Sequence, residues 1–180
     1  SIHLTDEALA GSDVNGTGYA LAKVLATESP DLVLLGQQSD DGECYTIGAV
    51  VADHLKMPSL TQVIQIDVND GKLRCERQAE YGYDTVEVEL PAVISVGDAI
   101  NEPRYPSLKA IMGAKKKPKD KKAIGDVGIE AGKVGAEGSQ TAVLALNPPP
   151  AKEAGEIIED EDTNETVEKI VAWLDERKLI

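Results

Sequence analysis

The chain has 180 residues, with 18 basic and 32 acidic side chains, a formal net charge of −14, two cysteines and only 3% aromatic residues. That length suits one domain, or one domain with an arm, and needs no disulfide framework. The acidity disfavours nucleic acid or an anionic membrane as partner, the scarcity of rings disfavours base-stacking platforms, and no apolar run reaches the roughly 18–20 residues that span a bilayer.

No signal-peptide pattern opens the chain, so a soluble, unexported protein without membrane insertion is expected. Cys44 and Cys75 are expected to be buried thiols of a reducing compartment. The charge is segregated. Residues 104–122 hold eight basic side chains and one acid, Asp120, a local +7 that leaves −21 for the rest.

In chain order, residues 2–4 are a short apolar start. Ser12 or Asp13 is placed to cap a helix over residues 14–26, whose apolar positions Tyr19, Leu21, Ala22, Val24 and Leu25 have helical spacing. Residues 32–35 (LVLL) suit a strand covered on both faces. After a polar loop, residues 47–55 return to helical spacing and stop before Pro58. Residues 62–68 alternate with period two, Asn69-Asp70-Gly71 is a tight-turn sequence, and residues 72–78 are the return strand. Residues 85–90 alternate again, and the continuous run at 92–96 predicts a central strand. Residues 124–140, Gly-rich and polar, are expected to be a loose connection, and residues 141–146 a last strand before Pro148, Pro149 and Pro150. Acidic residues 153–162 are expected to be extended. Thr163 or Asn164 can cap a final helix with the stripe Val167, Ile170, Val171 and Leu174, flanked by Trp173. The pattern predicts an α/β fold with a mixed sheet.

Catalysis finds little support. His3 and His54 lack metal-type spacing. Cys44 lies between Glu43 and Tyr45, with no basic neighbour to make it a nucleophile. Asp40, Asp41 and Glu43 have the composition of a solvated turn rather than a Mg²⁺ site, so no metal is expected. No phosphate loop or nucleophile elbow occurs. Two segments stand out as binding candidates. In the loop at 36–48, Gly36 lets a ligand approach the backbone, Gln37, Gln38 and Asp41 can hydrogen-bond sugar or base, and a helix start near Thr46–Gly48 suits a phosphate. The alternative is an ordinary strand-to-helix turn. In residues 101–122, Leu108, Ile111 and Met112 fall at i, i+3 and i+4 ahead of Lys115, Lys116 and Lys117. That is either a partner-docking knob with a basic rim or a core-facing helix with a solvated lysine tail.

Residues 101–117 (NEPRYPSLKAIMGAKKK), preceded by LPAVISV at 90–96, resemble the recognition-loop region of the electron transfer flavoprotein beta subunit. Residues 32–48 (LVLLGQQSDDGECYTIG) resemble that family's nucleotide-binding loop, and KLRCERQ at 72–78 and the C-terminal turn and helix match as well. The resemblance covers essentially the whole chain. It implies a Rossmann-like adenine-nucleotide-binding domain with a mixed, largely parallel sheet and a C-terminal arm. The implied division is a core at 1–112 containing the recognition loop 98–112, a connection at 113–140, and a strand, arm and helix at 141–180.

The resemblance further implies an electron carrier subunit rather than an enzyme. It would pair with an electron transfer flavoprotein alpha subunit that holds most of the FAD, and would itself bind AMP. It would accept electrons from flavin-containing dehydrogenases of the acyl-CoA type and pass them to a quinone oxidoreductase or similar acceptor. Implied nucleotide contacts are Gly36, Gln37, Gln38, Asp41, Gly42, Thr46, Ile47 and Gly48. Leu108 takes the docking position, supported by Ile111 and Met112 and by Lys115, Lys116 and Lys117. The implied location is the cytoplasm, or the mitochondrial matrix in a eukaryote. About 80 further residues precede this region in the family, on the scale of part of a domain, so a fragment or a shortened variant is expected. A bifurcating subunit with a second FAD is the alternative. Asp41-Gly42-Glu43 is similar to those members' loop, whereas Val14 stands where they tend to carry Thr. A stand-alone adenine-nucleotide sensor is the other alternative. Gln78 replaces an acidic residue that ties beta to alpha in some relatives.

Overall fold

A computed structural model describes residues 1–152, 155, 157 and 162–180. Strand β1 (Ile2–Leu4) leads through a 3₁₀ turn to helix α1 (Val14–Glu28), then β2 (Leu32–Leu35) and α2 (Ile47–Leu55). Four strands follow in succession, β3 (Ser59–Asn69), β4 (Lys72–Ala79), β5 (Gly82–Glu89) and β6 (Ala92–Val96). After them come α3 (Leu108–Ala114), β7 (Asp120–Lys122), α4 (Gly135–Gly138) and α5 (Thr163–Glu176). Two units are each compact, Ser1–Val143 and Leu144–Ile180.

The first unit is the expected mixed α/β fold. Its five-stranded sheet has the order β2-β6-β3-β4-β5. β6 pairs parallel with β2 and with β3, while β3, β4 and β5 form an antiparallel meander. β1 and β7 form a separate parallel pair. The run Ala92–Val96 is central because it is apolar on both faces. Val93 packs with Val33 and Ala52 on one side, and Ala92 and Ile94 with Leu60, Val63, Leu73 and Cys75 on the other. Each such fully buried Val, Leu or Ile stabilises the fold by about 1.5–3 kcal/mol.

β3 begins three residues earlier than its alternation predicts. The register shifts between Leu60 and Val63, with Gln62 at φ 60°, so the buried positions fall three apart and break the period of two. At the other end, Asp70 (φ 46°) and Gly71 (φ 79°) make the expected turn into β4.

Three expectations are corrected. Residues 124–140 are no loose connection. Val127, Ile129 and Val134 are buried against Tyr19 and Ala20 of α1, and Gly135, at φ 70°, lies so close to Ala8 that a Cβ would overlap its carbonyl oxygen. Glycine here permits close packing rather than slack. Residues 141–146 form no strand, and Val143, Leu144 and Leu146 are exposed by 78%, 96% and 90%, since no neighbouring strand pairs with them. Cys44 is exposed on the polar loop, whereas Cys75 is buried as expected, and burial raises its thiol pKa.

In the second unit, α5 is capped by Asp162, whose carboxylate accepts from the Asn164 amide, one residue earlier than anticipated. Its stripe Val167, Ile170 and Val171 is exposed, and Arg177 lies 4.1 Å over the Trp173 ring. The reading of residues 153–162 as extended falls mostly outside the described residues.

Candidate functional site

β2 ends at Leu35 and the chain loops through residues 36–46 into α2. Gly48 is buried, and a Cβ there would reach ordinary contact with Ser95 of β6 and Leu35 of β2. The start of α2 is therefore held at the carboxyl ends of two parallel strands, where open α/β sheets place their ligands. Thr46, the N-cap residue of α2, makes no side-chain cap bond, whereas Asp13 caps α1 and Ser107 caps α3.

Beside this turn lies a cleft of about 670 Å³. Asp41, Gly42, Ser39, Cys44 and Ile47 form one wall. Val14, Thr17 and Leu21, which share one face of α1, form the other, with Ser12, Asp13 and Thr141 at the end. Among the lining residues two are carboxylates and none is a lysine or arginine. Asp41 is held below its ordinary pKa by the Ser39 hydroxyl and then by backbone amides, its own and that of Gly42. Asp13 is held low chiefly by the Gly16 amide at 2.8 Å, with the Gln140 and Thr141 amides adding to that against an opposing burial effect. Both are therefore anions at neutral pH. The cleft combines an apolar wall that suits a base or ring with hydroxyls and carboxylates that suit a sugar.

Of the eight residues expected to contact nucleotide, Asp41, Gly42 and Ile47 line this cleft. Thr46 and Gly48 sit at the adjoining helix start, and Gly36, Gln37 and Gln38 lie on the approach from β2 without lining the cleft. Thr17, Leu21 and Thr141 were missed as cleft residues, whereas Val14 was singled out through the family resemblance. On α1 the signal was the spacing of Val14, Thr17 and Leu21 at i, i+3 and i+7, although the helical pattern counts Leu21 with its apolar positions.

The second candidate surface is α3. Ser107 caps it, its hydroxyl oxygen accepting from the Ala110 amide at 3.2 Å. No residue of α3 is buried, and Leu108, Ile111 and Met112 are exposed by 80%, 43% and 66%. Among the described residues, then, α3 faces no core. Lys115, Lys116 and Lys117 follow, all exposed. Among the described residues no group of three or more His, Cys, Asp or Glu side chains is placed to hold a metal ion, and no helix is long and apolar enough to cross a membrane.

Residues 1–126 match the family model described as an electron transfer flavoprotein domain. The chain is 42% identical over 181 residues to the electron transfer flavoprotein subunit beta of Mycobacterium tuberculosis, covering 100% of this chain and 67% of that protein. It is 43% identical over 175 residues to the subunit of the same name from Mycobacterium leprae, covering 96% and 66%. It is also 36% identical over 178 residues to the caffeyl-CoA reductase-Etf complex subunit CarD of Acetobacterium woodii, covering 98% and 68%. The chain thus spans about two thirds of the length of the curated relatives it matches.

Proposed function

The chain belongs to the electron transfer flavoprotein family, on the side of its beta subunits, and we propose that it works as the beta subunit of a heterodimeric electron carrier. It pairs with an alpha subunit that holds most of the FAD. The flavin supplies the redox chemistry, and the protein positions it and selects the partner. The chain itself takes AMP in the cleft between α1 and α2. The apolar side chains of Val14, Leu21 and Ile47 face the base, the hydroxyls and carboxylates face the ribose, and the start of α2, which has no side-chain cap, faces the phosphate. With no lysine or arginine lining the cleft, backbone amides carry the phosphate.

The observation that carries the docking role is the exposure of Leu108 and Met112 on a capped helix that buries nothing of its own. Leu108 enters a pocket on a flavin-containing dehydrogenase, and Lys115, Lys116 and Lys117 engage acids around it. Electrons pass onward to a quinone oxidoreductase or similar acceptor. The Asp41-Gly42-Glu43 loop, similar to that of bifurcating members, favours a second reading, in which the cleft holds a second FAD.

Purification of the native complex, followed by mass spectrometry of the nucleotide released on denaturation, tests this. AMP together with FAD, at one of each per heterodimer, is expected. Two FAD and no AMP would replace the first reading by the second. A nucleotide without any copurifying subunit or flavin would point instead to a stand-alone sensor.

A further inference from the structure

We infer that Asp13 is a positioning residue that closes the nucleotide cleft by strapping residues 140 and 141 across the start of α1; the inference rests on the cleft's being the nucleotide site. The two carboxylate oxygens do different work. Oδ1 accepts from the Gly16 amide at 2.8 Å and caps α1. Oδ2 accepts from the Gln140 amide at 2.7 Å, the Thr141 amide at 3.1 Å and the Thr141 hydroxyl at 3.3 Å. Thr141 and Asp13 both line the cleft, so the strap is one of its walls.

Neighbouring polar links aim the strap. The Asp13 amide donates to Ser139 Oγ at 2.8 Å, and Ser139 Oγ lies 2.8 Å from both the Gly11 and the Gly135 carbonyl oxygens. Ser12 Oγ accepts from the Gly135 amide and donates to the Leu9 carbonyl, each at 2.7 Å. Residues 140–152 form no helix or strand that would hold them. Gln140 and Thr141 are fastened by a side chain instead of a ladder, so they open at a fraction of the cost of global unfolding. A ligand seated against Thr141 favours the closed strap, and by linkage the closed strap favours the ligand by the same factor.

Asp13→Asn separates the two roles. Asparagine caps a helix as well as aspartate does, so Oδ1 keeps its bond to Gly16. The Oδ2 position becomes an NH₂ group facing three donors. In the native complex, hydrogen exchange of the 140–143 amides and the dissociation constant for added AMP are measured together after removal of resident nucleotide. In the unsubstituted protein AMP is expected to slow exchange at 140–143. In Asp13→Asn, exchange there is expected to rise and AMP to bind about tenfold more weakly, the scale of a lost hydrogen bond to a charged group. Thr141→Val, a change outside any helix, is expected to weaken AMP by a smaller factor, and Thr141→Ser to recover that loss by returning the hydroxyl. Free exchange at 140–143 with unchanged AMP affinity overturns the strap while leaving the nucleotide site standing. Unchanged affinity in Thr141→Val overturns it also, should Asp13→Asn fail to fold. If the unsubstituted protein binds neither AMP nor FAD, the nucleotide reading itself falls, and the strap's role with it.

Discussion

At Gly18 a missing side chain sets how closely two helices lie. A Cβ there would overlap Val50 of α2, whose β-branched side chain has little freedom to move aside. Alanine would gain up to about 1 kcal/mol of helix propensity but cost about 1–3 kcal/mol in overpacking, so strain prevails. Gly18→Ala is therefore expected to lower the thermal midpoint by a few degrees, and adding Val50→Ala to return part of the loss; calorimetry of both proteins checks this. Asp13 shows how far single residues are legible. Its place before a helical pattern marked it as a cap, and it is one. Nothing local marked its second oxygen, because the amides that use it lie 127 and 128 residues further along the chain. Cys44 was misjudged for the opposite reason. Cysteine is usually buried, and the polar residues on either side of it were the better guide.

Among the elements, those with their own periodicity were legible. α1, α2 and β4 lie where spacing put them, whereas β3 and β5 each begin three residues early, β3 at its bulge. Failures came where partners decide. Residues 124–140 carry few apolar side chains, yet Val127, Ile129 and Val134 are enough to cover one face of α1. Residues 141–146 have strand composition and no strand to pair with. α3 was ambiguous in sequence because an apolar i, i+3, i+4 face is the same whether it meets a core or a partner. It is exposed among the described residues, and the partner reading makes a prediction. Leu108→Ala is expected to slow electron transfer from a dehydrogenase by about 10–30-fold, on the scale of a hot-spot side chain, with flavin content unchanged. Stopped-flow reduction of the flavin and its absorbance give the two readouts, and flavin loss would refute the docking role.

For the molecule as a whole, the −14 net charge conceals a +7 stretch beginning at Arg104 and running through the lysines after α3. A basic stretch on an otherwise acidic chain attracts an acidic partner where the remainder opposes it, so charge steers the encounter more than it strengthens the complex. Raising the salt from about 0.1 M to about 1 M shortens the screening length from about 10 Å to about 3 Å. The second-order rate with an acidic dehydrogenase is then expected to fall steeply, and more so than in a variant with Lys115, Lys116 and Lys117 changed to glutamine. Equal salt dependence in the two would remove the lysines' role.

Sequence distance across the first unit has a consequence for how the protein is made. Ile2 pairs with Asp120, and Asp13 bonds to Thr141. A ribosome delivers the early partners of these contacts long before the late ones, and α1 waits with its inner wall bare. The cleft acquires its last side only when Thr141 has left the exit tunnel. A chain released before that residue lacks one wall of the cleft.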